Sequence, residues 1–300
     1  MSEPLDLSYL TTEEINPVSV NLDAMSTLDM LAVFNREDRK AIEAVGAALP
    51  RIAEAVEAIA GAIRAGGRLF YTGAGTSGRL GVLDASECPP TFNVPPGLVV
   101  GLIAGGDYAL RNAVEGVEDD PEAGAADLRA HGFGARDVLV GIAASGRTPY
   151  VLGAVDEARR LGSLTAGIAC ARGAELSARV RIPIEVVPGP EVVTGSTRLK
   201  AGTATKLVLN MLSTGVMVRL GYVYSNLMVN VQPRNQKLVD RAQRIIMAVA
   251  RVTREEAARA LEEAGHDVRT ACVMARLGVR REDAARRLEA CGGRLREAIG

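Results

Sequence analysis

The sequence predicts an α/β fold, a parallel sheet between layers of helix, followed by an all-helical C-terminal part. Three observations predict it. Short apolar runs recur with helical patterns between most of them. Two of those runs end in turns rich in Gly, Ser and Thr, the usual form of a strand passing into a helix. Strand signals then stop near Val239, where Ala, Arg and Glu take over.

Residues 1–34 read as an extended polar arm containing Pro4 and Asn16-Pro17. A long helix follows. Asn35 is its candidate cap, and Ile52, Val56, Ile59 and Ile63 fall on one face. Pro50 is expected to kink or split it. Strands are placed at 68–71, 98–103, 138–143, 164–169 and 182–187, with helices at 151–161 and 200–218. The runs are apolar throughout rather than alternating, as in a parallel sheet covered on both faces. Residues 254–265 and 281–292 form an internal repeat, each copy followed by a short second helix at 268–274 and 295–299. Gly265 and Gly292 are the expected C-caps. The repeat unit resembles ubiquitin-associated helical domains. Boundaries are set at 1–34, 35–238 and 239–300.

Composition excludes several classes of function. With 35 basic and 36 acidic residues the formal charge is -1, so no global field favours nucleic acid or an anionic membrane. Aromatic residues make up 3% and Trp is absent, which removes stacking platforms for single strands. Residues 1–10 are acidic with no apolar core, unlike a secretory leader. The longest apolar candidate, 207–220, is interrupted by Asn210, Ser213, Thr214 and Arg219. Cys88, Cys170, Cys272 and Cys291 are scattered, which indicates thiols in a reducing, cytoplasmic setting. His131 and His266 stand at no metal-ligand spacing, so neither a zinc hydrolase nor a Ser-His triad is supported. Acid–base chemistry falls to carboxylates, and neither a metal nor an organic cofactor is expected.

The turns carry the chemistry. Gly75-Thr76-Ser77-Gly78-Arg79 and Ser145-Gly146-Arg147-Thr148-Pro149 each follow a strand and open a helix. Glycine allows close backbone approach, hydroxyls add donors, and a helix N-terminus adds free N–H groups and partial positive charge. Ser196 and Thr197, before Lys200, repeat that composition. A single such turn is no more than a capped helix; two matching turns and a third Ser/Thr stretch indicate an oxyanion site. No Gly-Lys-Ser/Thr follows, so this is not a P-loop. Gly73, Gly75 and Gly78 match dinucleotide spacing, but the hydroxyl-filled turn and the missing acidic residue about twenty positions on argue against it.

These turns resemble the sugar isomerase (SIS) domain, a flavodoxin-like fold that binds phosphosugars. The match narrows at Asp84-Ala85-Ser86-Glu87-Cys88-Pro89-Pro90-Thr91-Phe92, at Gly101-Leu102-Ile103-Ala104-Gly105-Gly106, at Ala113-Val114-Glu115-Gly116-Val117-Glu118-Asp119-Asp120, at Ala144–Tyr150 and across 193–218. These resemble the N-acetylmuramic acid 6-phosphate etherases, from about Thr12 to the C-terminus. Ile15, where that family has Arg, and Pro233-Arg234 depart from its pattern. The resemblance implies cleavage of the D-lactyl ether of N-acetylmuramic acid 6-phosphate, in cell-wall amino sugar recycling or catabolism. It implies syn elimination from the opened sugar, then water addition, giving N-acetylglucosamine 6-phosphate and D-lactate without a metal. It also implies a homodimer and makes Glu87 and Glu118 the catalytic carboxylates.

Read on their own terms, Glu87 falls where Pro89 should end the helix, near the negative end of its dipole, which suits a proton donor. Asp120 is a cap with Pro121 behind it, whereas Glu115 and Glu118 are not needed for capping and share a face if helical. Sequence does not choose between those two; the resemblance chooses Glu118, as base. Thr76, Ser77, Gly78, Ser145, Gly146, Arg147, Thr148, Ser196, Thr197 and Lys200 are the expected substrate and phosphate ligands. Arg79, Arg198 and Lys206 are further candidates for phosphate or lactyl carboxylate. Two rivals stand beside this reading: an aldose–ketose isomerase, which the scarcity of His disfavours, and a non-catalytic sensor resembling the glucokinase regulatory protein, which the presence of both glutamates disfavours.

Overall fold

The structure is a computed structural model that describes residues 11–300. The readings made of residues 1–10, including Pro4, lie outside the described residues. In chain order the elements are α1 (Thr27–Arg64), β1 (Leu69–Gly73), α2 (Gly75–Phe92), β2 (Val99–Ile103), α3 (Gly106–Arg111), α4 (Pro121–Ala130) and β3 (Val138–Ile142). Then come α5 (Pro149–Arg160), β4 (Leu164–Ala169), α6 (Glu175–Arg179), β5 (Ile182–Glu185) and α7 (Lys200–Arg219). A hairpin of β6 (Val223–Tyr224) and β7 (Leu227–Met228) leads to α8 (Gln236–Ala250), α9 (Arg254–Glu263), α10 (Val268–Leu277), α11 (Arg281–Ala290) and α12 (Leu295–Ile299). Among the described residues no helix is long and apolar enough to cross a membrane.

The five strands fall on the predicted apolar runs and form one parallel sheet in the order β2-β1-β3-β4-β5. β1 pairs with β2 and with β3 in register, Leu69 facing Val99 on one side and Val138 on the other. Every residue of β1 and of β3 is buried, which is why these runs carry no polar alternation. Phe70, Leu139, Val151, Val155 and Leu176 form the centre of one core layer.

The chain divides into two compact units, one of residues up to Ser86 with Gly97–Ser213, the other of Glu87–Pro96 with Thr214–Gly300. The second unit is a helical bundle around Ile246, Leu261, Val273 and Leu288. Its helix ends follow the sequence signals. Thr253 and Glu256 form a reciprocal capping box, Asp267 caps α10, and Gly265 and Gly292 take left-handed φ values of 63° and 60° just past α9 and α11.

Three local expectations are corrected. The described part of the arm is not extended: Asn16 caps a 3₁₀ turn at Pro17–Ser19, and another follows at Leu22–Ala24. α1 begins at Thr27, capped by Ser26 rather than Asn35, and runs unbroken through Pro50. Pro50 is exposed, and the face buried on either side of it, with Ala48, Ile52 and Ala55, outweighs one lost hydrogen bond. α2 continues through Pro89 and Pro90 to Phe92, so Glu87 lies inside it and not at its end. Buried Cys88 and Phe92 hold the last turn, and Asn93 closes it with N–H to Pro89 O at 2.8 Å and φ of 51°.

A buried charge pair ties the first unit together. Lys200 Nζ lies 2.8 Å from Glu37 Oε2, with both residues 2% exposed or less. Glu37 also accepts from Asn16 Nδ2 at 2.8 Å and from Lys40 at 2.7 Å. Burial raises the Glu37 carboxyl, but the hydrogen bonds from Lys200, Lys40 and Asn16 outweigh it and hold the group at about 2. A carboxyl depressed in the folded state contributes stability above its unfolded value near 4.5 and loses it as pH falls toward 2. Glu37→Gln leaves a buried ammonium unpaired and is expected to cost about 3–5 kcal/mol at neutral pH. In chemical denaturation followed across pH, the gap to wild type should close between pH 5 and pH 2; a gap constant with pH refutes the assignment.

Candidate functional site

Strand order reverses at β1: the chain passes from β1 to β2 on one side, and β3 pairs on the other. Crevices at such a switch point, beyond the carboxyl ends of the strands, are where open parallel sheets bind ligands. A cavity of about 320 Å³ lies there. The β1–α2 turn lines it with Gly75, Thr76 and Ser77, and the β3–α5 turn lines it with Ser145 and Thr148. Thr197 and Glu118, also predicted, line it as well. Two well-separated turns and the third Ser/Thr stretch thus converge on one space.

The glycines bring the turns this close. A side chain on Gly78 would meet Ile103 Cγ1 at 2.6 Å and Gly73 O at 2.7 Å. Strand end and helix start therefore pack backbone to backbone, and Gly78 shapes the turn without lining the cavity. Gly146 has φ of 69°, and a Cβ there would lie 2.3 Å from that of Ala174. Thr76 and Ser77 stand within the first turn of α2, where backbone N–H groups have no intrahelical acceptor. Thr148 precedes α5 but its hydroxyl makes no cap bond, and Ser145 Oγ accepts only a long 3.4 Å bond from Arg147 N. Neither of these two hydroxyls caps a helix.

Glu118 lies in a turn, not a helix, so Glu115 and Glu118 do not share a helical face. Its carbonyl accepts Tyr150 N at 3.0 Å, and Asp120 caps α4 two residues on, accepting from Glu122 N and Ala123 N. α4 and α5 approach through glycines: a Cβ on Gly153 would stand 1.9 Å from Pro121 O, and one on Gly124 1.9 Å from Tyr150 O. The backbone at and just after Glu118 is therefore held against α5. Tyr150 is fully buried and its hydroxyl donates to Asp127 Oδ2 at 2.5 Å; burial first, then that carboxylate, pushes its pKa up.

Other candidates stand elsewhere. Lys200 is buried on Glu37 and does not line the cavity. Ser196 closes a turn through its N–H to Val193 O, and does not line it either. Arg147 lines two further cavities, of about 680 and 300 Å³, the larger of which shares Glu118, Ser145 and Thr148 with the first. Arg79 donates to the carbonyls of Ala109, Leu110 and Asn112 and secures α3. Arg198 and Lys206 are exposed. Among the described residues no lysine or arginine lines the 320 Å³ cavity. Glu87 is exposed on α2, ten residues and about 15 Å of helix beyond Ser77, and does not line it. Sequence reasoning missed Thr12, Glu13, Gly202 and Thr205, all of which do. The alternation of Thr and Gly into α7 was a usable signal for the last two; nothing in the local pattern marked the first two.

α2 and α7 are clamped to each other at Asp84. Asp84 Oδ1 accepts Asn210 Nδ2 at 2.7 Å and Ser213 Oγ at 3.1 Å. Burial is the largest influence on Asp84 and pushes its carboxyl up, against those two donors, Tyr71 and Lys206.

A phosphoheptose isomerase from Francisella tularensis is 22% identical with a TM-score of 0.50, covering 65% of this chain and all of that one. A putative phosphosugar isomerase from Bacteroides fragilis is 21% identical with a TM-score of 0.50, over 66% and 94%. These two share the fold of the first unit, and the class of that fold is the SIS domain, as a family model shows. The sequence profile of the glucokinase regulatory protein N-terminal SIS domain matches residues 51–159. The N-acetylmuramic acid 6-phosphate etherase of Pectobacterium atrosepticum is 55% identical over 297 residues, 99% of this chain and 98% of that protein. The enzyme of the same name from Serratia proteamaculans is 57% identical over 270 residues, 90% and 91%. The chain belongs to the N-acetylmuramic acid 6-phosphate etherase family.

The glycine contact yields a test. Gly153→Ala forces α5 away from Pro121 and should cost at least about 2 kcal/mol. Gly46→Ala, on α1 with nothing within 4 Å of the new Cβ, should be neutral or slightly stabilising. Thermal unfolding of the two variants checks this; equal midpoints would show that the α4–α5 approach is not tight.

Proposed function

We propose that this chain cleaves the D-lactyl ether of N-acetylmuramic acid 6-phosphate, in turnover of cell-wall amino sugar, and that the switch-point cavity is where the phosphate sits. The observation that carries the site reading is the convergence of Thr76, Ser77, Ser145, Thr148 and Thr197 with Glu118 in one cavity. The first turn of α2 adds N–H donors and the positive end of its dipole.

The chemistry follows from the substrate. In the opened sugar C2 lies next to the aldehyde, which makes its hydrogen acidic. Glu118 removes it; the electron pair forms the C2–C3 double bond, and the C3–O bond breaks with protonation of the departing lactyl oxygen. Water then adds to C3 and a proton returns to C2, giving N-acetylglucosamine 6-phosphate. Net, one water is consumed and D-lactate is released. Arg147 shares a cavity with Glu118, which supports it as the partner of the lactyl carboxylate.

The acid is Glu87 of the partner subunit. Within one chain Glu87 stands about 15 Å of helix beyond Ser77 and does not line the cavity that Glu118 lines, which supports an acid lent by the partner. A homodimer is further supported by exposed Leu28, Ile42 and Leu49 on α1, at steps of fourteen and seven, with exposed Leu31 three residues after the first. The four cysteines are free thiols, consistent with a cytoplasmic location. His131 sits at the end of α4 with Nδ1 2.8 Å from Asp127 O and does not line the cavity, so the His-dependent isomerase reading gains nothing.

D-lactate release from N-acetylmuramic acid 6-phosphate tests the activity directly. Glu87→Gln and Glu118→Gln should each abolish turnover while sugar phosphate binding survives. Refolded together, the two dead variants should regain about a quarter of wild-type activity, because half the dimers are mixed and each mixed dimer has one intact site. Recovery of nothing would place both carboxylates in one chain. Ser145→Ala should raise KM about tenfold with little change in kcat.

A further inference from the structure

We infer that Glu13 is a specificity-determining residue that accepts the N–H of the substrate's C2 acetamido group; this rests on the etherase reading above. Glu13 lines both the 320 Å³ cavity and the adjoining 680 Å³ cavity, as Glu118 does. It therefore borders the space next to the base. Its side chain is exposed, but its backbone is pinned on both sides. Thr12, 5% exposed, accepts Gly195 N through its carbonyl at 3.2 Å. Asn16, 3% exposed, donates to Glu37 Oε2 and to Pro190 O, each at 2.8 Å. Thr12 Oγ1 donates to Glu13 Oε1 at 3.1 Å, and Glu13 Oε2 lies over Gly195, 3.1 Å from where a Cβ would be. The carboxylate is thus aimed by a built segment.

Chemistry then narrows its partner. An ionised carboxylate only accepts hydrogen bonds. It repels the phosphate and the lactyl carboxylate alike, so it must face the part of the sugar that carries neither. The amide N–H on C2 only donates, and C2 is the carbon whose hydrogen Glu118 removes. A group held beside Glu118 that accepts from this N–H fixes the C2–H bond toward the base and selects 2-acetamido sugars.

Calorimetric binding of N-acetylglucosamine 6-phosphate and of 2-deoxyglucose 6-phosphate, which has no donor at C2, tests this. Glu13→Ala should weaken the first about tenfold or more and the second less than about twofold, with unfolding temperature unchanged. Glu13→Gln keeps a neutral acceptor and should recover most of the loss. Equal weakening of both ligands would make Glu13 an anchor of its segment, and no weakening would remove it from the site; either overturns the inference. If wild-type protein binds neither sugar phosphate, the etherase reading itself falls and this falls with it. Wild-type binding with an unselective Glu13→Ala defeats only this inference.

Discussion

The ion pair between Lys200 and Glu37 organises the candidate site without touching its ligand. Burying two charges is costly, and such a pair persists only where further hydrogen bonds complete it. Here they do. Glu37 takes three donors, and the N–H groups of Lys200 and Ala201 go to the Glu191 carboxylate at 3.0 and 2.9 Å. Burial, the dominant influence, pushes Glu191 up against those two N–H bonds. The start of α7, the middle of α1 and the turn at Asn16 are thereby fixed to one another, although they are far apart in sequence. Gly202 and Thr205 follow on α7 and line the cavity; Thr12 and Glu13 precede Asn16 and line it too. The same pair thus sets two of the cavity's walls.

On the proposed reading, the 320 Å³ cavity meets its anion with hydroxyl and backbone N–H donors, since among the described residues no lysine or arginine lines it. A lysine would supply a point charge with three rotatable donors; hydroxyls and first-turn N–H groups supply fixed directions instead. Fixed directions suit a phosphate whose far end must be presented to a carboxylate, because they position the sugar as well as hold it. They also leave the cavity less attractive to anions in general. The demand is close backbone approach, which is why Gly73 and Gly78 pack against each other at the β1–α2 turn.

What could be read from the sequence was what local physics decides. Strands buried on both faces are apolar throughout, so the five runs stood out. The hydroxyl turns could be read because strand, glycine and helix start are adjacent in the chain. Asp120 with Pro121 and the Thr253–Glu256 box could be read for the same reason. Reading failed where distant residues decide. Lys200 follows a Ser/Thr stretch that looks like an anion loop, but its partner lies 163 positions away. Thr12 and Glu13 sit in a segment with no periodicity, anchored by residues of α1 and of the loop after β5. Pro50 and Pro89 looked like breaks because a proline's local cost is visible in sequence, whereas the burial of Ile52 or Phe92 that outweighs it is not.

The continuity of α2 has a consequence for the chemistry. A helix is a rigid spacer at 1.5 Å per residue, so about 15 Å of α2 lies between its first turn and Glu87. On the proposed reading the N-terminal end of α2 holds the anion, and the carboxylate ten residues further on is needed as well. Both demands are met if each α2 belongs to two sites, holding phosphate in one and lending an acid to the other. Two copies related by a two-fold axis do this in a single isologous contact, since whatever one gives it also receives. The family's second glutamate then has a reason to lie on an exposed helix face: in the separated chain it faces water, and only assembly brings it to a substrate. Dimerisation on this account is the step that completes the active site.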